Sequence, residues 1–156
     1  MAVAAAPDVG RHVAWLTALL AGVLGGCDPG KDVVTTIDFD GEHRTISTSD
    51  VTCTRYPDGT LVVLVDDGRR RMVRLYIRDQ NRITALKVGL RHEDLTGFVA
   101  DPDEMVGTKV DDTYAVRGRM PPNEGETDAH TFNVETTCPG YRTARPKDTV
   151  PALGAP

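Results

Sequence analysis

Three cysteines, Cys27, Cys53 and Cys138, are the residues of this 156-residue chain whose types most directly suggest chemistry. A redox pair has Cys-x-x-Cys spacing and a zinc site brings ligands in close pairs; neither spacing occurs here. His43, His92 and His130 stand far apart, without the i,i+4 or His-Glu-x-x-His spacing of a zinc hydrolase, and each is expected to be a solvated or hydrogen-bonded surface residue. Ser47 and Ser49 lack the Gly-x-Ser-x-Gly setting of an acyl hydrolase. The acidic clusters Asp66-Asp67, Asp101-x-Asp103-Glu104 and Asp111-Asp112 offer hard oxygens, but none follows a calcium-loop pattern, so they read as solvated turns. Arg69-Arg70-Arg71 is the one basic run. It is a candidate membrane-surface contact, each charge contributing about 1 kcal/mol near anionic head groups, or equally a charged turn that blunts an edge strand. No phosphate loop or dinucleotide fingerprint is present, so no cofactor and no metal are expected. A formal net charge of −5 argues against a nucleic-acid partner.

Cys27 differs from the other two cysteines in what precedes it. Val13 to Leu24 carries no charge and falls short of the roughly 20 apolar residues that span a bilayer. Its length, with Arg11 and His12 before it, fits a helical signal peptide over residues 1–26. The run ends in Leu24-Gly25-Gly26-Cys27, which resembles the bacterial lipobox: an aliphatic residue, two small residues that admit a peptidase to the backbone, then a thiol. Cleavage is expected between Gly26 and Cys27, with Cys27 lipidated by diacylglycerol and its new amino group open to acylation. Two or three acyl chains hold a protein stably on a membrane, here on the extracytoplasmic face. The competing reading, a buried helix ending at Gly25-Gly26, requires a polar face that the run does not have. Export leaves Cys53 and Cys138 in an oxidising compartment, where two remaining cysteines are read as one disulfide.

The elements that must position these residues are short and strand-like. Residues 27–32 form a polar linker; the stretch 28–32 reaches at most about 18 Å. Val33 to Phe39 is rich in β-branched residues, and Asp40-Gly41 is a hairpin turn pair. Arg44 to Tyr56 alternates, with a break or bulge at Ser49-Asp50. Leu61 to Val65 is continuously apolar, as in a strand buried on both faces. Val73, Leu75 and Ile77 share one face of the next strand, and Ile83 to Leu90 forms another. Arg91 to Glu104 reads as a loop with a helical turn near Glu93 to Leu95. Met105 to Val110 and Thr113 to Met120 form a hairpin about Asp111-Asp112, and Pro121-Pro122 stops it. Phe132, Val134, Thr136 and Cys138 alternate onto one face. Residues 140–156, with Pro146, Pro151 and Pro156, read as a mobile tail. The expectation is an all-β domain over 33–139, a small antiparallel sandwich or open barrel with one disulfide.

Three stretches together resemble the LpqH-type mycobacterial lipoprotein antigens: the lipobox, Ile37-Asp38-Phe39-Asp40-Gly41 followed by Val51-Thr52-Cys53, and the closing Phe132 to Cys138. The resemblance covers roughly residues 20–139. It implies a lipid-anchored envelope protein, a surface antigen with an envelope protein or host receptor as partner, and no catalytic residues. This chain lacks the long Ser/Thr-rich linker that members can carry, so its globular part is expected close to the membrane. Three functions compete: a non-enzymatic envelope interaction protein, a carrier holding an apolar ligand between its sheets along Leu61 to Val65, and an enzyme whose histidines and carboxylates converge in one cleft.

Overall fold

The computed structural model describes residues 30–152. The signal peptide, the cleavage position at Gly26 and Cys27, and the first linker residues lie outside these. Eleven strands follow one another: β1 (Val33–Phe39), β2 (Glu42–Thr48), β3 (Val51–Arg55), β4 (Thr60–Asp66), β5 (Arg71–Asp79), β6 (Ile83–His92), β7 (Leu95–Val99), β8 (Met105–Val110), β9 (Thr113–Met120), β10 (His130–Thr137) and β11 (Tyr141–Thr143). A short 3-10 helix, Pro102–Glu104, precedes β8. The strands make a sandwich of two sheets and not a closed barrel. One sheet has the order β2-β1-β10-β9-β8, the other β11-β3-β4-β5-β6-β7. All pairs are antiparallel except β11 with β3, which is parallel.

Period-two alternation puts one side of each sheet into a shared core. Ile37 and Ile46 meet Tyr114, Val116 and Val134 from the first sheet; Val63, Val65, Val73, Leu75, Ile77, Val88 and Leu90 come from the second. Fully burying a Val, Leu or Ile side chain contributes roughly 1.5–3 kcal/mol, so these alternating runs dominate the fold's stability. Phe132, Val134, Thr136 and Cys138 all point inward, as the alternation predicts. Asp40 (φ 49°) and Gly41 (φ 85°) both adopt the left-handed region that a two-residue β1–β2 turn demands. Cys53 and Cys138 form the expected disulfide, with Cα atoms 5.9 Å apart. It joins β3 of one sheet to the end of β10 in the other. Closing a loop of 85 positions is worth up to about 4.6 kcal/mol in the chain-entropy account.

One sequence expectation gains its structural reason and three need correction. The break at Ser49-Asp50 is a change of sheet: β2 ends in one layer and β3 begins in the other. Leu61 to Val65 is not buried on both faces throughout. Leu61, Val63 and Val65 fill the core and Val62 lies under Tyr76, but Leu64 is 39% exposed. The stretch from Arg91 to Glu104 is no loop with a helical turn, since β6 runs to His92 and β7 returns beside it. The turn between them sets Glu93 at φ 59°. Long-range partners hold it there: Glu93 N–H donates to the Arg70 carbonyl at 3.1 Å, and Arg71 pairs with its carboxylate at 3.2 Å. The tail read as mobile is docked as far as residue 151. β11 adds to the edge of β3, Val150 packs near Val62 and Tyr76, and Tyr76 Oη donates to the Pro151 carbonyl at 2.9 Å. The β-domain therefore extends past residue 139.

Candidate functional site

β9 and β10 lie side by side, and each end of the pair holds a cluster of polar side chains. At one end Pro121-Pro122 stops β9, and the chain loops through residues 123–129 before re-entering as β10. Asn123 and Glu126 bond reciprocally: Asn123 N–H donates to Glu126 Oε2 at 2.9 Å and Glu126 N–H to the Asn123 carbonyl at 3.0 Å. Asn123 Nδ2 donates to the Thr96 carbonyl at 3.1 Å, fastening the loop to β7.

His130 closes this loop. Its Nε2 lies 2.6 Å from Glu126 Oε2 and its Nδ1 2.7 Å from Asp40 Oδ2 in the β1–β2 turn. The ring stacks on Phe39, centroids 4.8 Å apart. Asp40 Oδ1 also accepts the Thr131 N–H at 2.7 Å. The hydrogen bond to Asp40 and then that to Glu126 raise the His130 pKa, against the opposing pull of burial. The His130 bond lowers that of Asp40; the Asn123 N–H, then His130, lower that of Glu126. When protonated, the imidazole donates from both nitrogens. Such a ring has no lone pair for a proton or a metal, and the carboxylates face opposite nitrogens instead of converging on a common point. The arrangement is a clamp on the loop.

Beside the clamp lies a cavity of about 370 Å³, lined chiefly by Phe98, Val99, Met120, Pro121 and Ala129, with Arg119 and Glu104 at its rim. Met120, one of its lining residues, packs closely on Gly97. A β-carbon there would collide with Met120 Sδ and crowd the Phe39 ring.

The other end of β9 and β10 has a different character. Asp79 Oδ2 accepts from Tyr114 Oη at 2.8 Å, Lys109 Nζ at 3.1 Å and Arg55 Nη1 at 3.3 Å. Tyr141 of β11 lies 3.1 Å from Tyr114, oxygen to oxygen, and donates to Asp112 Oδ1 at 2.8 Å. The Arg55 guanidinium sits 4.2 Å from the Tyr141 ring centroid. Burial pushes Asp79 up, but the donors Tyr114 and Lys109 and the charges of Lys109 and Arg55 outweigh it, and the net pKa is lowered. Burial, reinforced by Asp79, pushes Tyr114 up to about 12. Both hydroxyls stay protonated as donors, and the cluster ties five strands and a turn together. Nothing in the sequence marks it, because Asp79 reads as a turn residue and its partners are scattered along the chain.

The remaining sequence candidates do not converge. His43 is exposed and bonds Asp38 at 2.7 Å. His92 is buried, contrary to the expectation of a surface residue, because it continues the inward face of Val88 and Leu90. Its Nε2 lies 3.3 Å from the Thr45 carbonyl. No two of the three histidines share a hydrogen-bond partner. The acidic clusters serve turns: Asp67 accepts from Arg69 and Arg71 N–H, and Asp101 caps the 3-10 helix. Arg69 and Arg70 are exposed, whereas Arg71 is engaged by Asp67 at 3.5 Å and by Glu93. Leu61, Val63 and Val65, the expected lining of an inter-sheet cavity, are packed into the core.

No family model matches this chain, and a search of curated proteins found no match.

Proposed function

We propose that the chain is a lipid-anchored envelope lipoprotein whose β-sandwich acts by binding, not by catalysis. The observation that carries this reading is the division of the cysteines. Cys53 and Cys138 pair with each other, consistent with an oxidising compartment, and the remaining Cys27 stands at the end of a lipobox. The resemblance to LpqH-type antigens points the same way, with an envelope protein or host receptor as partner. The occupied nitrogens of His130 support a non-enzymatic role. Expression of the wild type beside Cys27→Ala in a bacterial host tests the anchor. The wild type is expected to partition into detergent, with a mass showing residues 27–156 plus a diacylglyceryl group. Cys27→Ala is expected to keep residues 1–26 and with them Trp15, the only tryptophan. A wild-type chain recovered uncleaved and free of lipid defeats the reading.

A second reading, binding of a small apolar ligand, draws on the 370 Å³ cavity beside Met120, which is within the usual range for ligand sites. Affinity capture from the native envelope, with lipid extraction of the same sample, separates the two readings: a co-purified protein and no lipid favours the first.

A further inference from the structure

The charge of this chain is not evenly spread. Arg74 and Arg78 of β5 alternate with the core residues Val73, Leu75 and Ile77, so they face outward from the six-stranded sheet. Lys87 and Arg91 of β6 face the same way, opposite Tyr76 and Met72 in register. Arg142 of β11 lies beside outward-facing Thr54. None of these five cations makes a salt bridge among the described residues. Along the outward positions of β3 to β7 the single carboxylate is Asp66, whose Oδ1 accepts the Gly68 N–H at 2.8 Å. Exposed Leu64 lies between them, opposite Arg74. A chain of net charge −5 thus presents a cationic sheet face, crossed over Val62 and Tyr76 by the docked tail, whose Asp148 is paired with Arg145. The Arg69-Arg70-Arg71 turn adds little to it, because Asp66, Asp67, Glu93 and Asp94 gather around that end.

The start of the domain lies at the rim of this face. Val33 pairs with Thr48, and the Thr48 hydroxyl donates to the Asp66 carbonyl at 2.9 Å. Stacked sheets are about 10 Å apart, and the linker reaches about 18 Å. That is enough to pass the edge of the sandwich and bring the face down beside Cys27. Tethering at such short range gives an effective concentration near the millimolar scale, at which weak charge attraction suffices.

We propose that the outward face of the six-stranded sheet, through Arg74, Arg78, Lys87, Arg91 and Arg142, docks on an anionic phospholipid bilayer, the membrane that holds the anchor. The proposal rests on the anchored reading above and names the surface that the anchored domain meets. The test uses the full chain with vesicles of phosphatidylglycerol and phosphatidylcholine, and with vesicles of phosphatidylcholine alone. The ratio of the two partition coefficients cancels what the lipid anchor or the N-terminal run contributes to both. The wild type is expected to prefer the anionic vesicles. Arg74→Gln with Arg91→Gln is expected to lower that ratio about 30-fold at low salt, while Arg44→Gln with Arg117→Gln on the other sheet leaves it unchanged. Raising the salt on the wild type, which needs no variant, is expected to erase the preference. A wild-type ratio near one, or equal losses from both double variants, overturns the proposal. The mass of Cys27 in the same sample is read separately. Acylated protein without a preference rejects the face and keeps the anchor, and a preference without acylation does the reverse.

Discussion

The two ends of the β9–β10 pair solve the same problem with different chemistry. At the Tyr114 end, buried Tyr114 and nearly covered Asp79 gather donors from β3 and β8, with Tyr141 of β11 against Tyr114, and a disulfide lies beside them. At the His130 end, a loop is held by one imidazole between two carboxylates that are nearly half exposed. Burial makes the first arrangement costly to open, since a buried polar group left unpaired has little water to replace its partner. Exposure makes the second inexpensive to open and dependent on pH. One sandwich thus carries a locked end and a latched end, and the apolar cavity lies at the latched one.

The largest expected effect comes from the lock. Replacing Cys53 and Cys138 by Ala is expected to lower unfolding stability by up to about 4.6 kcal/mol, measured by urea titration, with amide protection of β11 lost first. A loss spread evenly over both ends would erase the distinction drawn between them. Next, Asp79→Ala leaves Tyr114 Oη with Tyr141 as its remaining partner and Lys109 and Arg55 without their shared carboxylate. A cost of about 2 kcal/mol is expected, since Lys109 and Arg55 keep access to water, with β11 exchanging faster and the 123–129 loop unchanged.

The smallest effect belongs to the latch. His130→Ala is expected to cost about 1 kcal/mol globally, yet to open residues 123–129 to limited proteolysis while β11 stays protected. The pH dependence follows from the signs of the shifts. The raised pKa of His130 adds stability that is complete below its unfolded value near 6.5 and is lost as pH rises through the folded one. The lowered values of Asp40 and Glu126 add stability that is present above about 4 and lost as pH falls through their folded values. Loop protection is therefore expected to be greatest between about pH 4.5 and 6.5, and hydrogen exchange in that loop across pH checks it. A flat profile would remove His130 from the latch.

What was legible in the sequence was what repeats locally. The alternation of Val73, Leu75 and Ile77, the Asp40-Gly41 turn and the inward face ending in Cys138 all declare themselves within a few residues. Hidden features depend on partners far along the chain. Glu93 enters a left-handed turn without glycine because Arg70 and Arg71 hold it. β11 is three residues long, too short for periodicity, and is specified by β3 and by the Tyr114 hydroxyl. The clamp was half visible. His130 and the Asp40 turn could each be seen, but their meeting across 90 positions could not.

β1 lies between β2 and β10, and its buried Thr35 hydroxyl meets that of Thr136 at a separation of 101 residues. A chain that emerges from its amino terminus can form the β1–β2 hairpin at once. It then carries β1 with one side unpaired until nearly everything else has arrived. Such separation slows folding, and an unpaired edge of this kind is a template for any extended strand nearby. During synthesis, the interval before residues 130–137 appear is when this protein is most open to a foreign strand.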